Sequence, residues 1–162
     1  MSVPEADPAA RIQALLTLYR ESHYDVYLPH GDVATIRTGQ PPPAGIRRWM
    51  GGAGIAFYMT ACNPYSHSLP REENEQRLES LRAYLREHEF AFLEGIGHIP
   101  GEVWREPNLL IHGISESSVA DLVRTHEQNS ILVVRAESPA VLRVYRSDWH
   151  AVVGECADVE WA

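Results

Sequence analysis

The chain has 162 residues, enough to bury the core of one domain without disulfides or metal, and its 44% hydrophobic and 22% charged content excludes a disordered chain or a fibre. A net charge of −8 argues against nucleic acid as a partner, because a phosphate backbone is gripped by clustered cations. All 14 basic residues are arginine, which excludes both a Schiff-base lysine and the lysine of a phosphate-binding P-loop. No run approaches the ~18 apolar residues of a membrane helix, and the first ten residues are acidic rather than basic then apolar, so a cytoplasmic protein is expected. Cys62 and Cys156 are far apart and in no metal-ligand spacing, and both are expected to be thiols.

In chain order, residues 1–10 are expected to form a flexible tail. Residues 8–22 place Ile12, Leu15, Leu16 and Tyr19 at helical spacing, with Asp7 available as the N-cap. Two short strands, 24–28 and 33–37, flank the turn formers Pro29, His30, Gly31 and Asp32 and predict a hairpin. Pro41, Pro42 and Pro43 cannot continue a ladder, so 39–45 is expected to be a loop, and Gly51, Gly52 and Gly54 lead into the next element. The apolar run 54–62 reads as a strand stopped by Asn63-Pro64. Ser68, with Pro70 just inside the start and Glu72 and Glu73 in the first turn, predicts a helix to about His88. Its apolar stripe is Leu78, Leu81 and Leu85, and Glu73 and Arg77 form an i,i+4 pair.

A strand at 90–94, a Gly- and Pro-rich loop at 95–107 and a strand at 108–114 follow. Ser115 then caps a helix carrying Val119, Leu122 and Val123, and strands are expected at 130–135 and 141–145. Gln128-Asn129 reads as the end of that helix, with Asn129 in a left-handed conformation. The run 149–153 would add a strand or packing at the edge. The whole is a single α+β domain over 1–162. Its antiparallel sheet would have a ferredoxin-like β-α-β-β-α-β core, to which an N-terminal helix and hairpin are added.

Signature chemistry is sparse. Gly95, Gly97 and Gly101 superficially resemble a dinucleotide loop, but Pro100 and Pro107 lead into a strand rather than the helix N-terminus that a pyrophosphate needs. The eight histidines show no ligand spacing, so neither a metal site nor a cofactor is expected. No G-x-S-x-G elbow occurs, and Cys62 in a core strand reads as a packed thiol rather than a nucleophile. The informative run is Asn63-Pro64-Tyr65-Ser66, where a core strand ends just before a helix begins. Counting back along the leucine stripe reaches Asn74, with Arg77 beside it, and a buried Asn74 would need Asn63 or Tyr65 as a partner.

Together these residues resemble a bacterial family catalogued as domain of unknown function number 3293. The resemblance runs over 19–145 and rests on Thr60-Ala61-Cys62-Asn63-Pro64, Glu73-Asn74 with Arg77, Trp104-Arg105-Glu106-Pro107 and Gln128-Asn129. This chain departs from the family pattern at Cys62, Asn108 and His112. The family brings no activity with it.

Two functions are expected to compete. One is a site for a small anionic or nucleotide-like ligand built from Asn63, Tyr65, Ser66, Asn74 and Arg77, with Glu106 reaching in as the general base. The other is a non-enzymatic module that binds a protein partner, or itself, through a sheet edge or through exposed Trp49, Trp104 and Trp149.

Overall fold

A computed structural model describes residues 7–162; the first six residues of the expected tail lie outside the described residues. Helix α1 (Pro8–Glu21) already occupies the rest of that tail. The Asp7 carboxylate accepts from the Ala9 amide, and Ile12, Leu15 and Leu16 are buried as their spacing predicts. Strands β1 (His23–Tyr27) and β2 (Val33–Ile36) form the expected hairpin. The loop expected at 39–45 is shorter, because α2 (Ala44–Met50) begins immediately after Pro43. Seven residues burying only Ile46 and Met50 carry too little periodicity to be seen beside three prolines.

Strand β3 (Ile55–Met59) leads through a 3-10 turn (Pro64–Ser66) to α3 (Arg71–Glu87), in which Leu78, Leu81 and Leu85 are buried. Pro70 precedes this helix instead of opening it, and no side chain caps it. Strands β4 (Ala91–His98) and β5 (Arg105–His112) then form a long antiparallel pair. The loop expected at 95–107 is therefore corrected to residues 99–104. Gly95 and Gly97, expected in that loop, are both buried in β4. A Cβ on Gly95 would stand 2.2 Å from the Asp25 carbonyl oxygen, so glycine there marks close approach of the chain. Pro107 is tolerated because the β3 ladder joins β5 only from Leu109 onward, leaving no partner for the missing N–H.

Helix α4 (Glu116–Thr125) is capped by Ser115 as expected. Strands β6 (Ser130–Arg135) and β7 (Val141–Val144) follow. The run 149–153 is mostly the short helix α5 (His150–Val153), and an unexpected strand β8 (Val159–Trp161) ends the sheet.

The eight strands form one sheet in the order β2-β1-β4-β5-β3-β6-β7-β8, antiparallel throughout except for β7–β8. A bridge between Thr38 and Ala140 joins the two flanks, so the sheet is an open curl. Its concave face packs on α1 and α2 through residues such as Leu15, Ile46, Tyr58 and Leu110. Its convex face packs on α3 and α4 through Phe57, Leu81, Leu109 and Val123. Among the described residues no helix is long and apolar enough to cross a membrane. The tryptophans expected at the surface are not there: Trp149 is 3% exposed, Trp49 packs edge-on against His112, and Trp104 is half-buried.

Candidate functional site

Beyond β3 the chain leaves the sheet by a turn that L-residues adopt only under constraint. Asn63, Tyr65 and Ser66 have φ of 49°, 50° and 63°, a left-handed conformation costing on the order of 1 kcal/mol or more per residue. Contacts from three directions hold it. The Tyr65 amide donates to the Glu127 carbonyl at 2.6 Å, and Arg11 Nη2 donates to the Tyr65 and Ser66 carbonyls. The Ser66 hydroxyl pairs with the Tyr19 hydroxyl at 2.6 Å and accepts from Asn129 Nδ2 at 3.1 Å.

The contact expected between Asn63 and Asn74 is present. Asn74 Nδ2 donates to Asn63 Oδ1 at 2.8 Å, and the Asn63 amide donates to Asn74 Oδ1 at 2.9 Å. Asn63 Oδ1 also accepts from the Leu69 amide, which leaves the Asn63 NH₂ to point at Glu106, where it donates to Oε2 at 2.9 Å. Asn74 thus aims Asn63, and Asn63 aims Glu106. Asn74→Ala removes one acceptor and one donor from this chain and is expected to cost about 1–3 kcal/mol in urea denaturation. A loss under about 0.5 kcal/mol would show that water replaces the carboxamide.

Glu106 lies in β5, two residues before Asn108 and four before Leu110, which is in the concave core. Strand alternation puts all three on that face. Burial pushes the Glu106 carboxyl up to about 7, against the opposing pull of the Asn63 hydrogen bond. It stands where two spaces meet. One is a cavity of about 120 Å³ on the concave side, walled in part by Tyr19, Tyr24, Tyr58 and Asn108. The other is an open groove of about 1000 Å³ running along α3 past Arg71 and Arg105. Asn63, Ser68, Trp104 and Glu106 line both.

Of the six residues singled out from the sequence, Asn63, Ser66, Asn74 and Glu106 line one or other of these spaces. Tyr65 and Arg77 do not. The Tyr65 ring lies on the surface beneath the Arg146 guanidinium, 5.2 Å from its centroid. Arg77 forms no pair with Glu73. Instead its Nε donates to the Ala61 carbonyl at 2.6 Å and its Nη2 to the His126 carbonyl at 2.7 Å, with Glu127 at 3.7 Å, so it clamps the end of β3 to the end of α4. A guanidinium serving two carbonyls is structural rather than poised for an anion. The left-handed residue after α4 is likewise Glu127, at φ 55°, and not Asn129. Burial raises the Cys62 thiol above its usual range, which disfavours the thiolate that a nucleophile needs.

Sequence reasoning missed Tyr19, Asn108 and Gln128 as parts of the wall. Asn108 was legible in principle: Glu106, Asn108 and Leu110 share a strand period, so a carboxyl and a carboxamide fall on a face that continues as core. Gln128 and Asn129 are 9% and 3% exposed, and a polar pair this deep declares itself only once the tertiary fold is known.

The model of a family described as protein of unknown function (DUF3293) matches residues 59–131. No curated protein and no solved structure matches the chain. The matched span begins at the last residue of β3 and ends at the second residue of β6, so it contains the strained turn, both asparagines, Glu106, Asn108 and Gln128. Over residues 59–131, the stretch that builds most of this site, the chain is similar to the DUF3293 family.

Proposed function

We propose that the chain binds a small nucleotide-like or anion-bearing metabolite at the junction of the cavity and the groove, and that Glu106 exchanges a proton with it. The observation that supports this best is the placement of Glu106, a carboxyl held by a two-asparagine relay at the place where a small cavity meets a wider groove. Strained backbone that the surroundings over-determine, as in the turn carrying Asn63, is characteristic of binding sites. A carboxyl that titrates near neutrality is suited to general acid–base work. The anionic end falls to the groove instead of Arg77. There Arg105 is exposed and makes no ion pair among the described residues, whereas Arg82 is tied to Glu79 and Glu94. The fold reading that accompanies this site is ferredoxin-like, supported by the central strand order β4-β5-β3-β6 and by α3 and α4 sharing the convex face.

A thermal-shift screen with nucleoside monophosphates and with phosphorylated or carboxylated metabolites tests the proposal. At about a hundredfold excess over Kd a true ligand adds about 2.7 kcal/mol, or several degrees in a chain of this size. The shift should disappear in Glu106→Gln and shrink in Arg105→Ala. A wild type that no compound shifts, or an equal shift in Glu106→Gln, contradicts the proposal.

A further inference from the structure

The convex face carries a second polar cluster at the end of the sheet that α3 and α4 leave uncovered. No residue of β1 or β2 belongs to the core beneath those helices, and Tyr27 and Val33 on the same face are 43% and 55% exposed. Tyr24 and Ile36 point into the concave core, so strand alternation turns their neighbours His23 and Arg37 to the convex side. Register carries a row from there across the sheet: His23 is opposite His98, and His98 is opposite Arg105. Extending the Tyr24–Ile36 pairing by one residue places Arg37 beside His23. Arg37, His23, His98 and Arg105 thus stand in one line over the neighbouring strands β2, β1, β4 and β5, which are spaced about 4.8 Å apart. The two imidazole centroids are 5.6 Å apart.

The hydrogen bonding of this row leaves donors over. An arginine can only donate, so Arg37 Nη1, 2.9 Å from His23 Nε2, makes that nitrogen the acceptor and puts the ring proton on Nδ1. Burial, and after it Arg37, push the His23 imidazole below its ordinary range, in keeping with a neutral ring. Asp25 accepts from Thr35 Oγ1 at 2.6 Å and from His98 Nε2 at 2.8 Å, so it orients His98 and pairs with neither arginine. Arg37 Nε is buried without an acceptor, and neither Arg37 nor Arg105 makes an ion pair among the described residues. In a chain with 22 carboxylate residues to 14 arginines, two arginines without a carboxylate at the ends of a row of two histidines leave a local excess of positive charge. We propose that this row is a phosphate site, in which the oxyanion of inorganic phosphate or of a metabolite's phosphoryl group lies over β1 and β4 and accepts from Arg37 and the two imidazoles, with Arg105 closing it on the groove side. Donors spread over several strands suit the three or four oxygens of a phosphate, whereas a carboxylate offers two, which one guanidinium fork satisfies. Glu106 points to the opposite face, so the row does not depend on the site proposed above.

An NMR titration of the full chain with inorganic phosphate tests this, read at the imidazole nitrogens of His23 and His98 and at the Arg37 Nε–H. All three should move along one saturable curve, and Arg37→Gln should weaken binding at least about tenfold, the worth of one charge-assisted hydrogen bond. Arg105→Gln, at an exposed position whose replacement does not threaten the fold, should weaken it too. Glu106→Gln should leave it unchanged, and acetate should bind at least about tenfold more weakly than phosphate. Glycerol phosphate separates the two sources: affinity equal to that of free phosphate marks a metabolite's phosphoryl group, a large loss marks the free ion, and either supports the site. Phosphate that leaves both histidines unmoved, binds Arg37→Gln as tightly as wild type, is matched by acetate or is lost in Glu106→Gln overturns the proposal. Phosphate that moves only Arg105 and the groove residues overturns the row as well, while the groove assignment stands.

Discussion

Gly95→Ala should lower folding stability by at least about 3 kcal/mol, the upper part of the range for overpacking a buried position. The added Cβ would lie 2.2 Å from the Asp25 carbonyl oxygen and 2.7 Å from the Tyr58 hydroxyl. Neither can retreat cheaply. Asp25 is in the β1 backbone, paired to β2 and β4 on its two sides, and the Tyr58 hydroxyl is donating to that same oxygen at 2.8 Å. The strands must separate, or Tyr58 must lose its hydrogen bond inside the concave core. Gly97→Ala is the internal control. Its Cβ would meet Asn108 Nδ2 at 3.4 Å and Trp104 and Tyr24 carbons at 3.7 Å, contacts that side chains can relax. Urea denaturation of both variants should separate them clearly. A Gly95→Ala variant within about 1 kcal/mol of wild type would mean that β1 and β4 are not as close as described.

The second large effect is a gain in stability. Glu106 titrates at about 7 in the folded state against an ordinary 4.5, so between those values the folded protein holds a proton that the unfolded chain has released. The favourable contribution is complete below 4.5, declines as pH rises and is gone above about 7, because the raised folded-state value makes deprotonation oppose folding. A shift of this size corresponds to about 3 kcal/mol. Glu106→Gln keeps the shape of the neutral carboxyl and an oxygen to accept from Asn63. It should therefore exceed wild type in stability by up to about 3 kcal/mol at about pH 8, with the gap closing as pH falls towards 4.5. Denaturation midpoints across this range supply the check, and a gap that does not vary with pH would place the carboxyl in water. A stabilised variant that has lost ligand binding is the pattern expected where a site is kept at a cost to the fold.

How much of this could be read from the sequence depended on whether the signal was local. The stripe Leu78, Leu81, Leu85 and the Ser115 cap are written in consecutive residues, and both held in the structure. The contact between Asn63 and Asn74 was also legible, because the strand end and the helical stripe together fix where the two carboxamides fall. Gly95 and Gly97 misled because a glycine in sequence looks the same whether it breaks a strand or lets two strands and a tyrosine hydroxyl approach. Arg77 misled for a related reason: beside Glu73 it looks like a surface pair, and only the arrival of His126 from α4 turns it into a clamp. The cavity wall combines α1, β1, β3, β5 and the end of α4, a meeting that no window of sequence contains.

The most direct test of the Glu106 assignment is an NMR titration of its side-chain carboxyl carbon in the wild-type chain, with Glu106→Gln to identify the resonance. The account predicts a midpoint near 7 that moves when Asn63 is replaced by alanine, because the Asn63 hydrogen bond is the one interaction pulling the carboxyl back towards its ordinary value. A midpoint at the ordinary 4.5, unchanged in that variant, would contradict it.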